Sequence, residues 1–173
     1  QYVFYNAVFF FQPEKGLTDK YYKIQLVPFA EKLPLSGKMR VLNKIQLGQA
    51  NFSSGENYIL LDSPKGKFAS LVCFEMAFPN LVRKFVNKGA NFLVNITNDS
   101  WFGRTAGPYQ HKAMSIMRAI EHRISIARCA NSGISMLVDP YGRIIEKTGL
   151  FKQVNLIGEI PLKNKETFYT KNG

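Results

Sequence analysis

Apolar and polar positions along the chain change period several times, and each change marks an element. Residues 2 to 11 are almost continuously aromatic or β-branched, which predicts a buried strand. Gln12-Pro13-Glu14-Lys15-Gly16 follows as a turn, and a second strand is expected over about Tyr21 to Val27, carrying Lys23 among apolar neighbours and stopping at Pro28. Further strands are expected at Tyr58 to Leu61 and Lys67 to Val72. Leu81, Val82, Phe85 and Val86 then recur at helical spacing in a helix over 77–88, with Gly89 as its stop. Asn91 to Thr97 reads as the next strand, and Gly107-Pro108 opens a helix running through His122. Short strands are expected around Cys129, at Ile134 to Val138 and Ile144 to Glu146 about the turn Asp139-Pro140-Tyr141-Gly142, and at Val154 to Pro161. Thr167 to Gly173 reads as a tail. Alternating strands and helices predict an α/β layered fold over residues 2 to 161.

Residues 34 to 57 break this texture. Pro34, Ser36, Gly37, Gly48, Ser53, Ser54 and Gly55 lie among scattered Leu and Ile, the pattern of a long loop lying over a domain as a lid or binding segment.

The bulk numbers narrow the class. A chain of 173 residues with 46% apolar and 13% aromatic side chains builds one folded domain with a substantial core. Two cysteines make no disulfide framework, and two histidines without ligand-like spacing argue against a metal site. The net charge of +11 is spread along the chain and forms no basic run interleaved with stacking aromatics, so nucleic acid is not the expected partner. An anionic membrane face is the sharper reading of that charge, a solvated surface the default one. No apolar run approaches the roughly 20 residues of a membrane-spanning helix. The opening Gln1-Tyr2-Val3-Phe4-Tyr5 goes directly into a strand, with no signal peptide, and reads as the middle of a longer protein.

The chemistry concentrates where the strand Lys67 to Val72 ends on Cys73-Phe74-Glu75 just before a helix. A cysteine there sits beside backbone N–H groups that no helical carbonyl satisfies, which favours thiolate and offers donors to an oxyanion. The same position also suits a buried, inert cysteine. Asn98-Asp99-Ser100-Trp101-Phe102-Gly103 crowds polar and aromatic residues at another strand end, where α/β folds keep their sites. His111, His122 and Cys129 read as structural residues: the histidines as structural or surface side chains, Cys129 as core.

Taken together, these segments resemble the nitrilase, or carbon–nitrogen hydrolase, superfamily and, within it, the apolipoprotein N-acyltransferases. The resemblance rests on Tyr22-Lys23-Ile24-Gln25-Leu26-Val27-Pro28-Phe29-Ala30-Glu31, Val72-Cys73-Phe74-Glu75, the 98–103 segment, Gln110-His111 with Arg118-Ala119-Ile120-Glu121, the Asn-Ser-Gly-Ile run at 131–134, and Thr167-x-Tyr169-x-x-x-Gly173. It implies an αββα sandwich, here without its N-terminal strands and helices. It makes Cys73 the nucleophile, Lys23 the triad lysine and Glu31 an additional acid of the catalytic site. Phe74 and Glu75 become supporting residues, with the Phe74 N–H and Lys23 as oxyanion donors. Phe74 replaces the tyrosine of many members, so a hydroxyl role there is absent. Trp101 and Asn98 fall in the segment bordering the acyl pocket, and 34–57 corresponds to a mobile arm. The family's general-base glutamate belongs upstream of Gln1. Membrane helices are expected upstream, and another after residues 162–173.

The reaction so implied takes a fatty acyl group from a phospholipid, through a Cys thioester, to the α-amino group of a diacylglyceryl apolipoprotein. It proceeds without metal or cofactor, on the periplasmic side of a bacterial inner membrane. Without the upstream glutamate, residues 1–173 alone are expected to be inactive. The alternative is a soluble nitrilase-type amidase with the same triad.

Overall fold

The computed structural model describes residues 2–28, 30–31, 52–163 and 165–173. Most of the 34–57 arm lies outside the described residues. The chain divides into two compact units, residues 1–57 and 58–173.

In the first unit, β1 (Ala7–Gln12) and β2 (Gly16–Tyr22) form an antiparallel hairpin. Its turn uses two left-handed residues, Glu14 at φ 63° and Gly16 at φ 69°. Both strands are offset from the pattern-based expectation. Tyr2 to Tyr5 precede β1 and are exposed, because the ladder reaches only as far as the Ala7–Tyr22 pair. Lys23 is not inside a strand but is the first residue beyond one. Its N–H donates to the Asn6 carbonyl at 2.8 Å and its carbonyl accepts from Gly55 N–H at 2.8 Å.

The second unit is a six-stranded mixed sheet in the order β3-β4-β5-β6-β7-β8. Its centre is parallel: β4 (Gly66–Val72), β5 (Phe92–Asn98) and β6 (Ser125–Asn131). β3 (Leu61–Ser63) joins β4 antiparallel, and β7 (Met136–Val138) and β8 (Ile144–Lys147) continue antiparallel from β6. β3 starts later than expected because the tight turn to Gly66 sets Leu61 opposite Phe68. α1 (Pro79–Asn87) connects β4 to β5, and α2 (Gly107–His122) connects β5 to β6. Since β4, β5 and β6 advance in one direction across the sheet, right-handed crossovers put both helices on the same face. Leu81, Val82, Phe85 and Val86 of α1 are buried, and the central strands bury Leu71, Leu93 and Ile126.

Two C-terminal expectations change. Val154 to Pro161 forms no strand: among the described residues it pairs with none, and it is tied down by Ser125 Oγ donating to the Pro161 carbonyl at 2.6 Å. The tail carries a short helix, α3 (Phe168–Asn172), capped by Thr167, whose Oγ1 accepts from Thr170 N–H at 3.0 Å. Thr170 is fully buried, and its hydroxyl lies 2.8 Å from His122 Nδ1, so the segment docks on the end of α2. No described helix is long and apolar enough to cross a membrane.

Candidate active site

The C-terminal ends of the parallel strands place the site, as open α/β sheets do. β4 ends at Val72 and the chain turns at once into a 3-10 helix, Cys73–Ala77. The turn is made by Cys73 itself, at φ 54°. A side chain in this left-handed region costs on the order of 1–3 kcal/mol and persists only where its surroundings enforce it. Here the enforcement is explicit. Glu75 is fully buried and its Oε2 accepts from the Val72 N–H at 2.8 Å, pulling the helix back onto the strand end. The Cys73 carbonyl accepts two hydrogen bonds, from Asn95 Nδ2 and from His111 Nε2, both at 3.2 Å. Cys73 is half-buried and unbonded to Cys129.

Behind the carbonyl lies a buried polar network. Asn95 also donates to the Leu71 carbonyl at 3.0 Å, and its Oδ1 accepts from Arg128 Nη1. Arg128 Nη2 donates to Asp99 Oδ2 at 2.8 Å, and Asp99 Oδ1 lies 2.9 Å from His111 Nδ1 and accepts from Thr97 Oγ1 at 3.0 Å. The four residues Asn95, Asp99, His111 and Arg128 are at most 2% exposed. Burial alone would push the Asp99 carboxyl up, but the His111 hydrogen bond, the Arg128 and His111 charges and the Thr97 hydroxyl hold it below the ordinary carboxylate value. Burial pushes the Arg128 guanidinium down, against the charge and hydrogen bond of Asp99. Gly133 completes the fit, since a Cβ there would collide with the Asp99 carboxylate.

Phe74 stands half-buried over this network, its ring centroid 5.7 Å from that of His111 and 6.0 Å from Phe78. Asn98, at the end of β5, is exposed; its Oδ1 accepts from Ser100 N–H at 3.1 Å and from Asn131 Nδ2 at 3.4 Å, linking the ends of β5 and β6. Trp101 lies in the 3-10 helix Ser100–Phe102 and is 79% exposed. Cys129 belongs to β6 as expected but is not core. It sits opposite Ile96, itself exposed, on the face where the ends of β5 and β6 are open, whereas the adjacent Arg128 points inward. His111 and His122 are both fully or almost fully buried, so neither is a surface residue.

In the first unit, Lys23 is fully buried and its Nζ donates to both oxygens of Glu31, at 2.8 and 2.6 Å. Glu31 also accepts from Val27 N–H at 2.8 Å and Asn6 Nδ2 at 3.0 Å. The pair is therefore a preassembled unit in which the carboxylate orients the ammonium. The expected site residues thus fall in both units: Lys23 and Glu31, paired with each other, in the first, and Cys73, Phe74, Glu75, Asn98 and Trp101 in the second. The sequence marks Asn95 and Arg128 only faintly, as polar residues alternating into apolar strands at Asn95, Thr97 and Arg128. Among the described residues no three His, Cys, Asp or Glu side chains gather into a group that could hold a metal ion.

A cysteine at positive φ on a strand end, with a buried polar network behind it and a mixed sheet beneath, defines an α/β protein with a cysteine-centred site. The chain belongs to the carbon–nitrogen hydrolase family, whose model matches residues 1–168. It is 42% identical over 168 residues to a Geobacter metallireducens protein named apolipoprotein N-acyltransferase, a match covering 97% of this chain and 32% of that protein. A Chlorobaculum tepidum protein of the same name is 35% identical over 178 residues, covering 98% and 33%. The chain therefore spans about a third of the length of these relatives. Its fold is that of Saccharomyces cerevisiae Nit3, a nitrilase-superfamily member, at TM-score 0.64 and 23% identity, covering 86% of this chain and 51% of that one.

Proposed function

We propose that this chain is the nucleophile-bearing part of an N-acyltransferase that moves a fatty acyl group from a phospholipid to the α-amine of a diacylglyceryl-cysteine on an apolipoprotein. The observation that carries the reading is Cys73, held at positive φ at the end of β4 by hydrogen bonds on both sides of it. The relatives' shared name supplies the substrate class.

In the first half-reaction the Cys73 sulfur attacks the ester carbonyl carbon, the C–S bond forms and the carbonyl electron pair moves onto oxygen. Collapse breaks the ester C–O bond, and the proton lost by the thiol ends on the departing alkoxide of the lysophospholipid. In the second, the acceptor amine attacks the thioester, the C–N bond forms, the C–S bond breaks, and the amine's proton returns to sulfur. Proton transfer in both directions needs a base. The family resemblance assigns that role to a glutamate outside these 173 residues. Lys23, oriented by Glu31, and the Phe74 N–H are the proposed oxyanion donors. Each such donor is worth roughly 3–4 kcal/mol of barrier. Trp101 and Asn98 border the acyl chain, an exposed indole being suited to the apolar side of a membrane interface. The catalytic surface faces the periplasm at the bacterial inner membrane.

Incubating the intact enzyme with phospholipid and a diacylglyceryl peptide tests this. An acylated peptide amine is the expected product. Ammonia release from small amides, with no acylated peptide, would replace the reading with an amidase.

A further inference from the structure

We infer that His111 and Asn95 are positioning residues for the oxyanion donor, acting through the Cys73–Phe74 peptide; this rests on the acyl-transfer reading above. The chain has no cis peptide among its described residues, so this peptide is trans, with its C=O and the Phe74 N–H pointing in opposite directions in one rigid plane. The carbonyl is fixed by two donors, Asn95 Nδ2 and His111 Nε2, each at 3.2 Å. Both donors are themselves held: Asn95 by Arg128, and His111 by Asp99, which Arg128 also binds. Fixing the carbonyl toward this buried network therefore aims the Phe74 N–H away from it. That N–H belongs to the second residue of the 3-10 helix, ahead of the first intrahelical bond, so it is free of a helical acceptor. Hydrogen bonds on the carbonyl also polarise the peptide and strengthen its N–H as a donor.

The residues lie in three separate elements: Asn95 in β5, His111 in α2 and Arg128 in β6. Asn95 and His111 hydrogen-bond the carbonyl, while Arg128 holds both of them from behind and feels the charge of Cys73. No hydrogen bond links either donor to Sγ, which separates this role from activation of the thiol.

The experiment uses that separation in the intact enzyme, with two reagents for Cys73. A nitrophenyl fatty ester acylates the sulfur through a tetrahedral oxyanion, whereas iodoacetamide alkylates it by displacement at a saturated carbon, with no oxyanion. In His111→Leu and Asn95→Leu, acylation of Cys73 is expected to fall by about 100-fold, the loss typical of a reacting group displaced by about 1 Å. Iodoacetamide labelling of Cys73 should stay within about twofold, measured against Cys129, and the fall should lie in kcat with KM kept. His111→Gln, whose amide reaches the same carbonyl, should recover part of the acylation. Unchanged acylation in the leucine variants would overturn the proposal, as would a parallel change in both reactions, which signals a disturbed fold or a disturbed thiol. A wild-type enzyme that is not acylated on Cys73 would remove the reading beneath it.

Discussion

Glu31 holds the buried Lys23 ammonium with both carboxylate oxygens, at 2.8 and 2.6 Å, while the same carboxylate accepts from Val27 N–H and Asn6 Nδ2. With four hydrogen bonds from three donor groups converging on one carboxylate, the lysine is oriented before any substrate arrives. Removing the acid leaves a fully buried charge without its partner, an arrangement that costs about 3–5 kcal/mol. Glu31→Ala is therefore expected to destabilise the protein by that amount in urea unfolding, and Lys23→Met placed on top of it to recover a large part. A loss under about 1 kcal/mol in the single variant would show that the pair does not organise this unit.

A second consequence concerns pH. Burial first, then the charges of Arg118, Lys163 and Arg83, lower the His122 pKa to about 4. The unfolded chain, with a histidine near 6.5, binds the proton more readily across that window. Stability from neutral His122 is thus complete above about pH 6.5 and is lost as pH falls toward 4, in total about 3 kcal/mol. Glu121, raised by burial, tilts the curve the other way, so the comparison must be made between variants. His122→Gln is expected to flatten the pH dependence of the unfolding free energy between about pH 4 and 6.5. An unchanged slope would place the lost protonation elsewhere.

Trp101 separates binding from folding. At 79% exposure its truncation removes almost no buried area, so Trp101→Ala should leave the unfolding free energy within about 0.5 kcal/mol. If its indole borders the acyl chain, KM for phospholipid should rise several-fold with kcat kept. A stability loss with unchanged KM would make Trp101 a packing residue.

Much of the parallel sheet was legible because period and punctuation agree there. β4, α1, β5 and α2 each carry one clear apolar period, bounded by Gly89 or opened by Pro108. Where a segment's fate depends on a distant neighbour, the pattern misleads. Val154 to Pro161 has strand-like alternation but pairs with no described strand, and Tyr2 to Tyr5 are apolar yet exposed. Cys129 has the apolar neighbours of a core residue, but which face of β6 is covered is decided by the sheet and not by the strand. The place of Cys73, at a strand end just before a helix, could be read from the sequence. The contact that His111 makes could not, because its partner is a backbone carbonyl 38 residues away, which leaves no local spacing to read.

In the proposed reaction Cys73 carries the acyl group between donor and acceptor. Intact-protein and peptide mass spectrometry after incubation with phospholipid, without acceptor, tests it most directly. The expected result is one added acyl group on the Cys73 peptide, cleaved by hydroxylamine, absent in Cys73→Ala and undiminished in Cys129→Ala. An acyl group found on Cys129, or equal labelling of the Cys73→Ala variant, would contradict it.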